Sequence, residues 1–298
     1  MKAKLIRYSL MLLCSFVYFH SFGQFSSEEI IRLKNKLNNT GEDTARINIC
    51  LEISNDYRYT NIDSSIWYAE KAVEISRSIH NLSAEAAALS QKGFIVLETG
   101  DLPQSLQYQF MALDLLQGAA DPEAMGFALN RIGNIYMELG DWKKAIDYYR
   151  RSETQFRKIN KIALIYNELS NIGYVYGMMG MADSAKIYMQ QVYVFGLTNT
   201  DRYAITYSEM RDRYGFIETR LGNYDSALLH YRIGITEGIK DVDFRNLASI
   251  YLHIAQLFFK THQNDSCFYY ARKTIETAKS VSWKRAVYEA SDLLAKLF

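Results

Sequence analysis

The sequence predicts an all-α solenoid of stacked antiparallel helix pairs, and three observations carry that prediction. One position recurs as Ile53, Gly93, Gly133, Gly173, Gly215, Ala255 and Ala295, at spacings of 40, 40, 40, 42, 40 and 40 residues. A second keeps step with it as Ser65, Ser105, Ala145, Ala185, Ala227 and Cys267. Between the two fall turn residues: Gly100-Asp101, Gly140-Asp141, Gly180 and Gly222-Asn223. Each repeat therefore reads as helix, turn, helix. A unit of this size buries its apolar face only by stacking on its neighbours.

Composition agrees. The 298 residues are 49% hydrophobic and include only 2 Pro, neither inside a strongly periodic stretch, which favours long unbroken helices. The 23 Tyr supply packing aromatics with polar tips along the whole chain. With 34 basic and 33 acidic residues the net charge is +1, so there is no cationic footprint for direct binding of nucleic acid.

Taken in order, residues 1–23 read as a signal peptide. Lys2, Lys4 and Arg7 precede the apolar run Tyr8–Phe19, which is too short to span a bilayer comfortably. Ser21-Phe22-Gly23 then offers small residues for cleavage, placing the mature start near Gln24. The expected location is outside the cytoplasm, periplasmic or in the cell envelope, with no transmembrane span in the mature chain.

Residues 24–45 carry Ile30, Ile31, Leu33 and Leu37 at helical spacing and predict a leading helix that covers one end of the array. Residues 46–298 form the solenoid, as six helix pairs plus a final single helix. The period leaves room for helices of roughly 16–18 residues, about 25 Å long. Gly126–Ser152 is the clearest copy: Gly133 and Tyr136 share a face of the first helix, as do Ala145 and Tyr149 of the second. The first unit departs from this pattern, with Ile53 and Asp56 in place of Gly and Tyr, as end units with a single neighbour do. At the other end, Leu293–Phe298 repeats the Ile132–Tyr136 pattern and opens a seventh unit. Cys50 and Cys267 sit at opposite ends of the array, beyond the reach of a disulfide, and read as packed thiols.

The order Leu129, Ile132, Gly133, Tyr136, Gly140, Asp141, Trp142, Ala145, Tyr149 resembles the tetratricopeptide repeat (TPR). The usual TPR period is 34 residues, and the longer one here is similar to arrays in peptide-sensing bacterial regulators and in cargo-binding motor light chains. The chain also resembles exported Bacteroidetes TPR proteins and the TPR sensor regions of their histidine kinases and regulators. The resemblance implies a right-handed superhelix whose concave groove is lined by first-helix residues facing away from the second helices. Carried over position by position, the groove residues are Phe94, Asn130, Asn134, Met137, Asn167, Asn171, Tyr174 and Phe216. Asn side chains donate and accept together, so Asn134, Asn167 and Asn171 suit the backbone of an extended peptide. TPR clamps for chaperone tails carry lysines where this chain has Asn130 and Glu209, which argues against capture of a terminal carboxylate in that way.

No catalytic signature accompanies the repeats. His80, His230, His253 and His262 have no Cys or carboxylate at metal-ligand spacing, and there is no phosphate loop, HExxH, GxSxG or Cys–His pattern. No metal and no cofactor is expected. The function read from the sequence is therefore a non-enzymatic scaffold binding a peptide or protein segment in its groove. The alternative is the sensory input region of a histidine kinase or transcriptional regulator whose output domain is absent from this chain.

Overall fold

The computed structural model describes residues 28–58, 60–198, 207–281 and 283–297, and the side chains of all of these except 197 and 198. The expected export segment, 1–23, lies outside the described residues. Every regular element among them is an α-helix. Helix α1 covers residues 28–39. Six pairs follow: α2 (Asp43–Tyr57) with α3 (Ile62–Ser78), α4 (Leu82–Thr99) with α5 (Leu102–Ala119), and α6 (Pro122–Glu138) with α7 (Trp142–Lys158). Then come α8 (Ile162–Met178) with α9 (Ala182–Thr198), α10 (Tyr207–Leu221) with α11 (Tyr224–Lys240), and α12 (Phe244–Lys260) with α13 (Asn264–Ser280). A single helix, α14 (Lys284–Ala295), closes the series.

The helix ends follow from local chemistry. Asn61, Asn81, Asp101, Asp121, Asp141 and Asp243 each accept a hydrogen bond from the backbone N–H three residues on, so one otherwise orphaned donor per helix is satisfied. Both prolines sit in a first helical turn, of α5 and α6, where no intrahelical N–H is lost. Gly100, Gly140, Gly180 and Gly222 take φ of 91°, 73°, 77° and 84° between the paired helices. The turns between units take the same left-handed conformation without glycine, at His80, Ala120, Asn160 and Val242. An L side chain there costs roughly 1–2 kcal/mol, so these turns are held by the packing of the helices they join.

Close approach of helices is what the small residues permit. A Cβ at Gly133 would stand 2.6 Å from the ring of Tyr149, and one at Gly215 would stand 2.6 Å from that of Tyr231. Both rings are fully buried. At Gly126 the obstructing ring is Phe156, at 2.5 Å. Where the pair is polar instead, hydroxyls stitch the backbones together: Ser105 donates to the Gly93 carbonyl at 2.7 Å and Ser65 to that of Ser54 at 2.6 Å. Substantial helix packing runs only between neighbours in the chain and between next-but-one helices, which stacks the first helices of successive units into one layer. The result is the right-handed superhelix expected of the repeats. Leu33 and Leu37 of α1 pack into the core formed by Ile47, Cys50 and Ile53 of α2. Cys50 and Cys267 are buried and unbridged. Among the described residues no helix is long and apolar enough to cross a membrane.

Candidate functional site

The inner layer, α4, α6, α8, α10 and α12, curves around a cavity of about 620 Å³ that α14 closes on one side. One wall, from α4 and α6, presents Phe94, Leu97, Glu98, Met137 and Glu138. The floor, from α8 and α10, presents Asn171, Tyr174, Glu209, Asp212 and Arg213. The facing wall presents Asp243, Arg245, Asn246 and Ser249 from the start of α12, and Trp283, Lys284 and Arg285 from the start of α14.

Five of the eight residues expected in the groove line this cavity: Phe94, Asn134, Met137, Asn171 and Tyr174. Asn130, Asn167 and Phe216 are not among its lining residues. Asn130 turns toward the next first helix and donates to both carboxylate oxygens of Glu168, at 2.8 and 3.0 Å. Asn167 accepts from Asn171 at 3.1 Å. Phe216 is 6% exposed, with its ring centre 4.9 Å from Tyr174 and 5.1 Å from His253. One helical step, about 100°, separates a residue aimed into the groove from one aimed at the neighbouring helix.

The asparagines that do reach the groove are already engaged. Asn134 accepts from the Tyr149 hydroxyl at 2.8 Å and donates to Asn130 at 3.3 Å. Asn171 accepts from Arg213 at 2.7 Å. Arg213 also donates to Ser170 at 2.9 Å and pairs with Glu209. Two units earlier, Arg131 makes the equivalent reach, to Ser90 at 2.8 Å and Gln91 at 3.1 Å. At the far end Asp212 accepts from Ser249 at 2.7 Å and lies 2.7 Å from His253 Nδ1. A polar spine thus runs beneath the groove from α4 to α12, and its members fix one another's rotamers.

Burial sets the electrostatics of this spine. Glu168 is 1% exposed, and burial pushes its carboxyl up to about 7, against the lowering effect of its Asn130, Ser152 and Asn171 hydrogen bonds and of Arg213. Burial, helped by the nearby Arg58 charge, lowers Arg131 to about 10. The Tyr174 phenol is held above its ordinary value, first by burial and then by Asp212. Phe94 is flanked by two guanidinium groups, Arg58 at 4.7 Å and Arg131 at 5.1 Å from its centre. Among the described residues no three His, Cys, Asp or Glu side chains gather as a metal site. The surface offers aromatic and thioether contacts with flanking charges, which is chemistry suited to holding a chain segment.

Sequence reasoning missed the facing wall. Arg245, Trp283 and Arg285 reach the groove because the superhelix turns back on itself. A signal was nevertheless present: Glu98 and Glu138 are one 40-residue period apart, and so are Arg245 and Arg285.

Two family models match the amino-acid sequence. That of the SusR N-terminal TPR domain matches residues 20–108, and a tetratricopeptide repeat model matches residues 84–158. The stretch 20–158 carries tetratricopeptide repeats. No curated protein matches its sequence. Solved structures share the form of this tetratricopeptide repeat array. The apo form of RapI is 17% identical with a TM-score of 0.65, covering 90% of this chain and 98% of its own. A Rap protein complexed with Competence and Sporulation Factor is 13% identical with a TM-score of 0.70, covering 88% and 73%. The Rap conjugation gene regulator of plasmid pLS20, in complex with the Phr* peptide, is 16% identical with a TM-score of 0.59, covering 84% and 74%. At these identities the likeness establishes the fold alone.

Proposed function

We propose that the protein is a non-enzymatic binding scaffold outside the cytoplasm, and that its concave groove receives an extended peptide or protein segment. The observation that carries this reading is the cavity of about 620 Å³, lined by the half-buried Phe94, Met137, Tyr174 and Trp283 of the first-helix layer. In this reading Met137 and Trp283 grip side chains from opposite walls, and the spine beneath keeps the groove in shape. The peptide held by the pLS20 regulator, on the same fold, supports this choice of ligand class. The basic residues before the apolar run Tyr8–Phe19 support export.

Selection of peptides from a displayed library is the test. The wild-type protein is expected to enrich a common motif, and Met137→Ala with Trp283→Ala is expected to weaken the selected peptides about tenfold or more with helicity unchanged. Undiminished binding by that double variant removes the groove from the account.

The match to the N-terminal TPR domain of SusR favours a second reading, in which the same groove is the input of a longer signalling protein. Occupancy would then be passed along the array. Hydrogen exchange with a selected peptide distinguishes the two: protection spreading into α11 and α13, which contribute nothing to the groove lining, supports a sensor, and protection confined to the groove helices supports a free scaffold.

A further inference from the structure

The two walls of the groove are joined by charge. Arg245 at the start of α12 meets Glu98 at the end of α4, 2.9 Å apart and 147 residues distant in sequence. Arg285 at the start of α14 pairs in the same way with Glu138 at the end of α6. The two contacts are rungs of one ladder, since both partners advance by one 40-residue period between them. Local helix energetics do not account for this placement. A carboxylate at a helix C-terminus and a guanidinium at an N-terminus both oppose the helix dipole. Nor do these walls rest on helix packing, because every substantial helix pair lies within two helices along the chain.

Each cation has a second contact on its own side of the gap. Arg285 also pairs with Glu289 at 2.7 Å, and Arg245 lies 4.7 Å over the Trp283 ring. Breaking the rungs therefore leaves both guanidinium groups partly satisfied, which lowers the cost of separating the walls. The cations are also the more exposed partners: the Arg245 and Arg285 side chains are 32% and 52% accessible, against 13% and 29% for Glu98 and Glu138. Deeper carboxylates already have partners: Glu209 pairs with Arg213, Asp212 accepts from Ser249 and lies 2.7 Å from His253 Nδ1, and Asp243 caps the first turn of α12.

We infer that Glu98 and Glu138 hold the mouth of the groove shut by occupying Arg245 and Arg285, and that a ligand segment bearing carboxylates opens it by taking their place. This rests on the groove being the binding surface, and it names the ligand class as acidic. Lys284, exposed between the two walls and without an ion-pair partner among the described residues, adds a third positive charge to the same edge. Any acidic segment must first displace internal carboxylates, so the closed mouth excludes weakly charged competitors.

The test uses three labelled decapeptides of matched apolar content, one glutamate-rich, one lysine-rich and one neutral, at low and at physiological salt. Binding is read by anisotropy, and opening by Trp283 emission in a Trp67→Phe/Trp142→Phe background. The glutamate peptide is expected to bind best and to shift Trp283 emission as a ligand carboxylate replaces Glu98 on the guanidinium that covers its ring. Glu98→Gln/Glu138→Gln should tighten it several-fold, and Arg245→Gln/Arg285→Gln should weaken it about tenfold. The inference is overturned if the lysine or neutral peptide binds as well as the acidic one, or if removing both glutamates leaves acidic affinity unchanged. In those cases a groove that still loses peptide on Met137→Ala/Trp283→Ala keeps its assignment. Failure of all three peptides to bind removes both.

Discussion

Gly133→Val is expected to destabilise the array by ~3 kcal/mol or more, a large fraction of the 5–15 kcal/mol typical of a folded domain. The first added carbon alone would stand 2.6 and 2.7 Å from the Tyr149 ring. That ring has nowhere to go. It is fully buried, and its hydroxyl is held by Asn134 at 2.8 Å and Met137 at 3.8 Å. Relief must come from separating α6 and α7, which breaks the spine at Asn134 and loosens the contacts to both flanking units. Gly118→Ala provides the control, because its Cβ would find only Leu82 at an ordinary 3.8 Å and would improve helix propensity by roughly 0.5–1 kcal/mol. Urea unfolding of the two variants measures both. A Gly133→Val protein as stable as Gly118→Ala would mean that the aromatic-on-glycine contact does not hold the unit together.

Glu168→Gln is expected to stabilise the protein at pH 8, by up to ~3 kcal/mol, and to do little at pH 4.5. The sign follows from where the proton sits. Burial raises the Glu168 carboxyl from its ordinary 4.5 to about 7 in the folded protein. Below 4.5 both the folded and the unfolded chain carry the proton, and the residue contributes no pH dependence. Between 4.5 and 7 the unfolded chain releases it while the folded chain keeps it, so stability falls as pH rises; above 7 the full penalty is in place. Glutamine retains an acceptor for Asn130 without the charge. Comparing the two proteins across pH cancels the contributions of other carboxylates, such as Asp56, whose carboxyl burial also raises, and Asp121, which accepts from Ala124 and Ser83 and is lowered. A difference between variant and wild type that stays constant from pH 4.5 to 8 would show that burial does not raise the Glu168 carboxyl.

The fold was legible because its signal is repeated. A single small residue in a helix is weak, but small residues recurring at 40 or 42 residues in both helices of successive units point to stacked helix pairs as the arrangement in which each apolar face is buried. The glycine turns were legible for the same reason. The turns at Ala120 and Val242 were not, since nothing in those residue types announces a positive φ and tertiary packing imposes it; His80 and Asn160 are types that tolerate it, without a glycine to mark the turn. The groove was half legible. The repeat register placed Phe94, Asn134, Met137, Asn171 and Tyr174 on its surface. The same register, one helical step coarse, also proposed Asn130, which spends its amide on Glu168, and Phe216, which packs beneath Tyr174. The opposite wall depends on the accumulated rotation of four units, and so on small inter-helix angles that residue identities do not encode singly. Glu168 is buried by partners from other helices, Asn130 on α6 and Ser152 on α7, which nothing in its own helix announces.

Site-specific photo-crosslinking tests the central claim most directly. A photoreactive side chain is placed either at Met137, in the groove, or at Ile187 on α9, 61% exposed and outside the cavity lining. The account predicts that a selected peptide is captured from position 137 and not from position 187. Capture from position 187 with none from 137 would contradict it, and would move the binding surface to the outside of the superhelix.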